Sequence, residues 1–319
     1  MRDALPHALN ARFAAALAAL IGGKAVARDR LGIAVSGGPD SMALLDFATG
    51  LAPGRVEAAT VDHGLRREAA AEAAMVSAFC AGQGLPHAVL RPAAPIAGSI
   101  LAEARTVRYA LLDAWMDARG LDWLLTAHHA DDQLETMLMR LNRASGVAGL
   151  SGIRARRGRV VRPLLGFRKV ELESLVRARD LPFADDPSNR DARFDRARLR
   201  ATLAGVDWLD PVAAARSAAA LADAEAAVEW SAARLFDDLV QRIGGALQLV
   251  PAGIPHEYRR RLLIRMHQDL APESPGPRGE QVEQAIVQLC HARKISIGAC
   301  VATGGAVWTM RRAPPRRAG

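Results

Sequence analysis

Two short stretches hold residues able to do chemistry. The first is Ser36-Gly37-Gly38-Pro39-Asp40-Ser41. An apolar run, Leu31-Gly32-Ile33-Ala34-Val35, precedes it and reads as a buried strand; Met42 to Phe47 follows and reads as a helix start. A strand, a tight glycine turn and a helix N-terminus make an anion site, because exposed N–H groups and the helix dipole favour negative charge. Ser36 and Ser41 add hydroxyls. Asp40 would repel a bare phosphate, so its place calls for a cation between them, most simply Mg²⁺. The second stretch, Thr126-Ala127-His128-His129-Ala130-Asp131-Asp132-Gln133-Leu134-Glu135-Thr136, gathers two histidines and three carboxylates at another strand end and helix start. Asp132 as N-cap with Glu135 three residues on would make a capping box. That leaves His128, His129 and Asp131 without a structural task. The spacing suits no closed zinc site, so the carboxylates are expected to hold Mg²⁺ or an ammonium group.

Two lesser stretches complete the set. Val61-Asp62-His63-Gly64-Leu65-Arg66 ends a second strand, where a nucleotide site holds base or ribose; a plain Asp/Gly turn explains it as well. In Glu103-Ala104-Arg105-Thr106-Val107-Arg108-Tyr109, Arg105 and Arg108 share a helix face and suit phosphate or RNA backbone. Solvated arginines paired with Glu103 or Asp113 are the plainer alternative. Neither G-x-x-x-x-G-K-[ST] nor G-x-G-x-x-G is present.

The elements that must position these residues alternate. Strands are expected at 31–35, 56–61, 87–90, 123–127 and 159–165, separated by helices, including Ser99 to about Arg119, Asp132 to Arg143 and 167–180. This pattern predicts a doubly wound parallel sheet, which binds ligands beyond the carboxyl ends of its strands. All the residues above fall at those ends. After about 206–210 the texture turns Ala-rich with scattered charge and no alternation. We therefore divide the chain into 1–207 and a smaller, mainly helical 208–319 with a basic tail.

Composition narrows the partners. The 319 residues carry a net charge of +8, which points to a polyanion, nucleic acid first. Lysine occurs only at 24, 169 and 294, so the charge is almost all arginine. No run of about 18 apolar residues is present, nor an apolar signal core at the N-terminus, so no membrane and a cytoplasmic location are expected. Cys80, Cys290 and Cys300 are far apart, fit no paired motif and read as small buried apolar residues.

The S-G-G-x-D-S stretch resembles the pyrophosphate loop of ATPases that cut ATP to AMP and pyrophosphate. The wider series is S-G-G-P-D-S, V-D-H-G-L-R, E-A-R-T-V-R-Y, the H-H-A-D-D block through its glycine loop at 145–152, R-P-L-L and D-D-P-S-N. It resembles bacterial tRNA(Ile)-lysidine synthetases over about residues 30–200, and 208–319 is more weakly similar to their helical middle domain. An additional C-terminal domain of longer members is not evident. One departure is Ala197, where an Arg-Asn pair is usual. The resemblance implies ATP and Mg²⁺ as cofactors, free L-lysine and tRNA(Ile) with a CAU anticodon as partners, and leaves room for a homodimer. It implies adenylation of the wobble cytidine at carbon 2, then attack by the lysine side-chain amine. Implied for nucleotide binding are Ser36, Gly37, Gly38, Pro39, Asp40, Ser41, Asp62, His63 and His128. Asp40 and Asp132 are implied for metal, and Asp40, Asp131, Glu135 and Arg105 for catalysis, with Arg105 on the α-phosphate. Arg108, Arg196 and Arg200 are implied for RNA. Alternatives from this reading are a tRNA thiolase, an amide-forming synthetase, or an RNA-binding protein with a vestigial nucleotide site.

Overall fold

A computed structural model describes residues 4–64, 67–93, 100–184 and 195–314. Leu65-Arg66, the D-D-P-S-N stretch at 185–189 and the end of the basic tail lie outside the described residues. The chain runs α1 (Ala4–Ile21), α2 (Gly23–Arg28), β1 (Leu31–Ala34), α3 (Pro39–Leu51), β2 (Val56–Val61), α4 (Arg67–Gly82), β3 (His87–Leu90), α5 (Ile100–Arg119), β4 (Trp123–Leu125), α6 (Ala130–Leu141) and α7 (Val147–Leu150). It continues through β5 (Arg156–Arg157), β6 (Val160–Val161), α8 (Lys169–Ala178), α9 (Asp195–Leu203), α10 (Pro211–Leu239), β7 (Val240–Ile243) and β8 (Ala246–Leu249). Last come α11 (His256–Leu270), α12 (Gly279–Cys290), β9 (Lys294–Ile297), β10 (Cys300–Thr303) and β11 (Trp308–Arg312). Two compact units divide between Ala222 and Asp223.

In the first unit the strand order is β3-β2-β1-β4-β6-β5, parallel except for the β5–β6 pair. All four residues of β1 are buried, as a central strand covered on both faces must be. On one face Leu31, Ile33 and Val35 pack with Met42, Leu44, Leu45 and Phe47, and Phe47 stacks on Phe13 of α1 at 5.1 Å. On the other, Leu112, Trp115 and Met116 of α5 pack on Ala34, Ala59 and Leu124. Helices on both faces make the doubly wound sheet. The strand expected over 159–165 is instead a small hairpin, because Gly158 (φ +57°) turns the chain and Pro163 cannot donate to a ladder.

The second unit holds more than helices. β7-β8-β11-β10-β9 form a five-stranded antiparallel sheet. Its apolar face, with Leu247, Leu249, Trp308 and Met310, packs with Leu262, Leu263 and Met266 of α11 and Val282 and Ile286 of α12. The expected boundary at 207/208 falls just before α10, whereas the contact division falls inside that helix. A continuous 29-residue helix carries no Gly/Pro break to mark the place. Cys80 and Cys300 are buried, but Cys290, at the last position of α12, is exposed; the buried reading is corrected there.

Candidate active site

The loop after β1 is shaped by its own hydroxyls. Gly37 takes φ +88°, a conformation that costs a side chain dearly, and Gly38 becomes the N-cap of α3 with Pro39 at the first turn. Ser41 Oγ accepts from the Ser36 N–H at 3.1 Å and donates to the Gly38 carbonyl at 2.9 Å. Asp40 follows in the first turn of α3.

Asp40 meets the second stretch through one imidazole. His129, buried after β4, lies 3.5 Å by Nε2 from Asp40 Oδ2, 3.5 Å by the same atom from Asp132 Oδ2, and 3.6 Å by Nδ1 from Asp131 Oδ2. Burial pulls its pKa down, but contacts with Asp131, Asp40 and Asp132 prevail and carry it to about 10. His129 is therefore an imidazolium holding three carboxylates. It is also the N-cap of α6, with the Asp132 side chain accepting from its N–H at 3.2 Å. The cap expected at Asp132 and Glu135 thus starts three residues earlier, with Asp132 accepting at its far end, while the imidazolium of His129 offers no acceptor in return. The neighbouring His128 is the opposite case: burial, with Arg162, Arg108 and Arg105 nearby, lowers it to about 4 despite Asp132, so it is neutral.

Released from capping, Glu135 is buried and receives Arg200 in a fork, Nε at 2.7 Å and Nη2 at 2.9 Å, with Arg196 Nε at 3.0 Å. Asp131 accepts from the Lys169 N–H at 2.8 Å and faces Arg168 Nε at 3.3 Å. Burial raises its pKa, but His129 and these donors win and hold it at about 2. Asp131, Glu135, Arg168, Lys169, Glu173 and Arg200 line a cavity of about 420 Å³.

A smaller cavity, about 220 Å³, lies at the ends of β1 and β2. Ser36, Thr60, His63 and Arg108 line it. His63 Nδ1 is buried there without a hydrogen-bond partner, whereas Asp62 is taken up by the turn itself, accepting from the Gly64 N–H at 3.0 Å and Arg91 Nε at 3.1 Å. Arg105 lines a different cavity, so the two arginines of one helix face serve different spaces. Arg108, expected toward RNA, thus lines the cavity at the ends of β1 and β2, and Arg105, expected toward the α-phosphate, lines the other. Neither pairs with Glu103 or Asp113; Arg105 stacks on Tyr109, 5.2 Å from the ring centre.

Asp40 Oδ1 is buried with no hydrogen-bond partner. That orphan oxygen, with Asp132 on the same imidazole, fits a hard cation. Among the described residues no group of three His, Cys, Asp or Glu side chains is arranged to hold a metal alone. Mg²⁺ commonly takes one or two carboxylates and completes its shell with substrate phosphates and water, so the pair is sufficient.

Arg162 escaped the sequence reading as a site residue. It is 5% exposed, donates to the Arg154 carbonyl at 2.7 Å and sits 3.4 Å from the Tyr109 hydroxyl. The R-P-L-L signal contained it, but nothing local distinguished it from the many other arginines.

Residues 9–206 match the PP-loop domain family. The chain is 41% identical over 298 residues to a tRNA(Ile)-lysidine synthase of Novosphingobium aromaticivorans and 38% identical over 297 residues to one of Zymomonas mobilis, covering 90% of each partner in both cases. Among solved structures, a tRNA thiolase of Methanococcus maripaludis superposes with a TM-score of 0.54 at 14% identity, over 66% of this chain and 77% of that one, which is a likeness of fold.

Proposed function

The chain belongs to the tRNA(Ile)-lysidine synthase family, and from that premise we propose how its own residues perform the reaction. It is a ligase that uses ATP to form lysidine at the wobble cytidine of tRNA(Ile). No helix among the described residues is long and apolar enough to cross a membrane. The finer assignments, including the CAU anticodon, free lysine as co-substrate, Mg²⁺ and a cytoplasmic setting, are our reading.

ATP binds with base and ribose toward the β1–β2 cavity and His63, and with phosphates on the 36–41 loop, whose N–H groups and α3 dipole stabilise charge building on the leaving pyrophosphate. Arg108 borders the same cavity together with Ser36 of the loop, and we assign it to the phosphates. Asp40 and Asp132 would hold Mg²⁺, which neutralises phosphate charge when bound. His129 holds these carboxylates in place. The cytidine oxygen is adenylated and pyrophosphate leaves; the lysine side-chain amine then displaces AMP.

The observation that carries the lysine assignment is the 420 Å³ cavity sharing Asp131 with the His129 centre. Free lysine brings a carboxylate and two ammonium groups, and this cavity offers both signs: Arg168, Lys169 and Arg200 beside Asp131, Glu135 and Glu173. With its pKa near 2, Asp131 binds an ammonium well and accepts its proton poorly. Its task here is therefore orientation. Arg196 and Arg200, tied to Glu135, set that carboxylate and leave guanidinium edges for the incoming RNA.

The test is mass spectrometry of nucleosides from tRNA(Ile) incubated with the protein, ATP and lysine. Lysidine is expected from wild type, and adenylated tRNA without lysidine from Asp131→Asn. A sulfur-containing nucleoside, or no ATP-dependent product, would overturn the reading; loss of adenylation as well in Asp131→Asn would move that residue to phosphate or metal binding.

A further inference from the structure

Helix α5 borders two separate cavities. The one at β1–β2 was assigned above to ATP. The other, about 440 Å³, lies against β4 and β6 and shares no lining residue with the first. Three arginines reach it: Arg105 from α5, Arg157 from β5 and Arg162 just after β6; Asp113 is its one acidic side chain.

These arginines lack the carboxylate partners that several arginines of the unit find. Arg12, Arg30, Arg119 and Arg159 each have a carboxylate within 4 Å. Among the described residues none stands that close to Arg105, Arg157 or Arg162. Arg162 is the telling one, because its Nε is buried with no hydrogen-bond partner. A buried guanidinium without a counter-charge is costly unless a ligand supplies one. Tyr109 joins the set, its ring under Arg105 and its hydroxyl facing Arg162. Burial works to raise the phenol pKa, but Arg162 and the neighbouring guanidiniums hold it below its ordinary value, which reports a positive field.

We propose that this cavity binds a backbone phosphate of the tRNA, adjacent to the nucleotide being modified, through Arg105, Arg157 and Arg162. The inference rests on the reading under Proposed function. A phosphodiester is the favoured source because ATP has its own cavity at the ends of β1 and β2, and because a planar guanidinium fork suits phosphate oxygens. Proximity to the reacting centre follows from the sheet: Arg162 directly follows Val161 of β6, whose carbonyl accepts from the Thr126 N–H at 3.1 Å, and Thr126 Oγ1 lies 3.0 Å from His128 Nδ1. Holding the backbone beside the target fixes the nucleotide while its base is presented to the activated phosphate.

The experiment measures Kd for tRNA(Ile) against KCl concentration, and Kd for ATP, in full-length wild type, Arg105→Gln, Arg157→Gln and the double variant. Arg105 and Arg157 are exposed, so these variants fold. Arg28→Gln is the control, an exposed arginine at the last position of α2. Each single variant is expected to weaken tRNA binding several-fold and to reduce the salt slope by about one, with ATP binding unchanged. The double variant loses less slope than twice the single loss, since both side chains serve one phosphate. Arg28→Gln leaves the slope unaltered. Wild-type slopes in both single variants would overturn the proposal, as would weakened ATP binding, which would give the cavity to the nucleotide. If wild type itself bound tRNA without salt dependence, the functional reading would fall first.

Discussion

A buried cluster of charges in each unit can be set beside the other, and the two are built on opposite plans. In the second unit Arg261, 7% exposed, is satisfied on every nitrogen: Nε meets Glu257 at 2.7 Å, Nη1 meets Glu225 at 2.9 Å and Glu229 at 2.7 Å, and Nη2 meets Glu225 at 2.7 Å. It joins α10 to α11, and its pKa is raised by Glu225 first and then the others against burial. In the first unit three aspartates crowd one His129, and Asp40 keeps a buried oxygen with no partner. A cluster whose bonds close on themselves holds helices together. A cluster left with excess carboxylate and an orphan atom is arranged for something that arrives later.

That contrast is broken most directly at Asp40. Asp40→Asn should reduce AMP formation by at least about 10²-fold, since it removes charge from the phosphate and metal position. Its Tm should be no lower than wild type, because like charges are relieved around His129. Calorimetry beside a pyrophosphate-release assay checks it; near-normal turnover would make Asp40 a structural residue. Arg261→Leu is the counterpart. It strands Glu225 and should cost about 3 kcal/mol, seen as earlier urea unfolding of the second unit. ATP binding by the first unit should persist, and its loss would show that the units are not independent.

Glu135→Gln tests an intermediate case. The change keeps shape but leaves Arg196 and Arg200 facing a neutral amide. We expect adenylation to continue, lysidine formation to fall by at least tenfold, and stability to drop by about 1–3 kcal/mol. Loss of stability alone would place Glu135 with Arg261 as a structural partner.

Acid and base should separate the clusters further. His129 is raised from its ordinary 6.5 to about 10 in the folded protein. Its stabilisation is therefore full below about 6.5 and declines as pH rises toward 10. In the second unit His267 is shifted the other way by burial, despite Glu273, and its Nε2 accepts from the Ala299 N–H at 3.2 Å. A lowered histidine contributes stability above 6.5 that is lost as pH falls below it. Glu257, depressed chiefly by Arg260, adds a loss below about 4.5. Urea unfolding of metal-free protein across pH should show both units weakening as pH falls below about 6.5, the first through His128 and the second through His267, and only the first also weakening as pH rises toward 10, through His129. Parallel pH profiles would contradict the contrast. The smallest effect is expected from Cys80→Ala, Cys290→Ala and Cys300→Ala together. Burial pushes the Cys80 thiol up to about 11, and lysine brings its own nucleophile, so activity per folded molecule should remain within a few-fold. Loss of modification in the folded triple variant would favour thiolase chemistry.

The sequence by itself determined the parallel sheet, the phosphate loop and the gathering of candidate residues at strand ends. Those follow from local facts: short apolar runs, glycine where the backbone turns, and helix periodicity between them. It did not reveal the second unit's sheet. Ala246-Leu247-Gln248-Leu249 and Trp308-Thr309-Met310 do alternate, but four- and five-residue strands are outweighed by a long Ala-rich helix. Only the tertiary structure decided which charge meets which. Arg105 and Arg108 are three residues apart, yet each lines a different cavity. Glu135 read as a cap until Arg196 and Arg200, some sixty residues away, claimed it. His129 looked like one of a pair until burial and three carboxylates separated it from His128, because a charge's state depends on what folding packs around it.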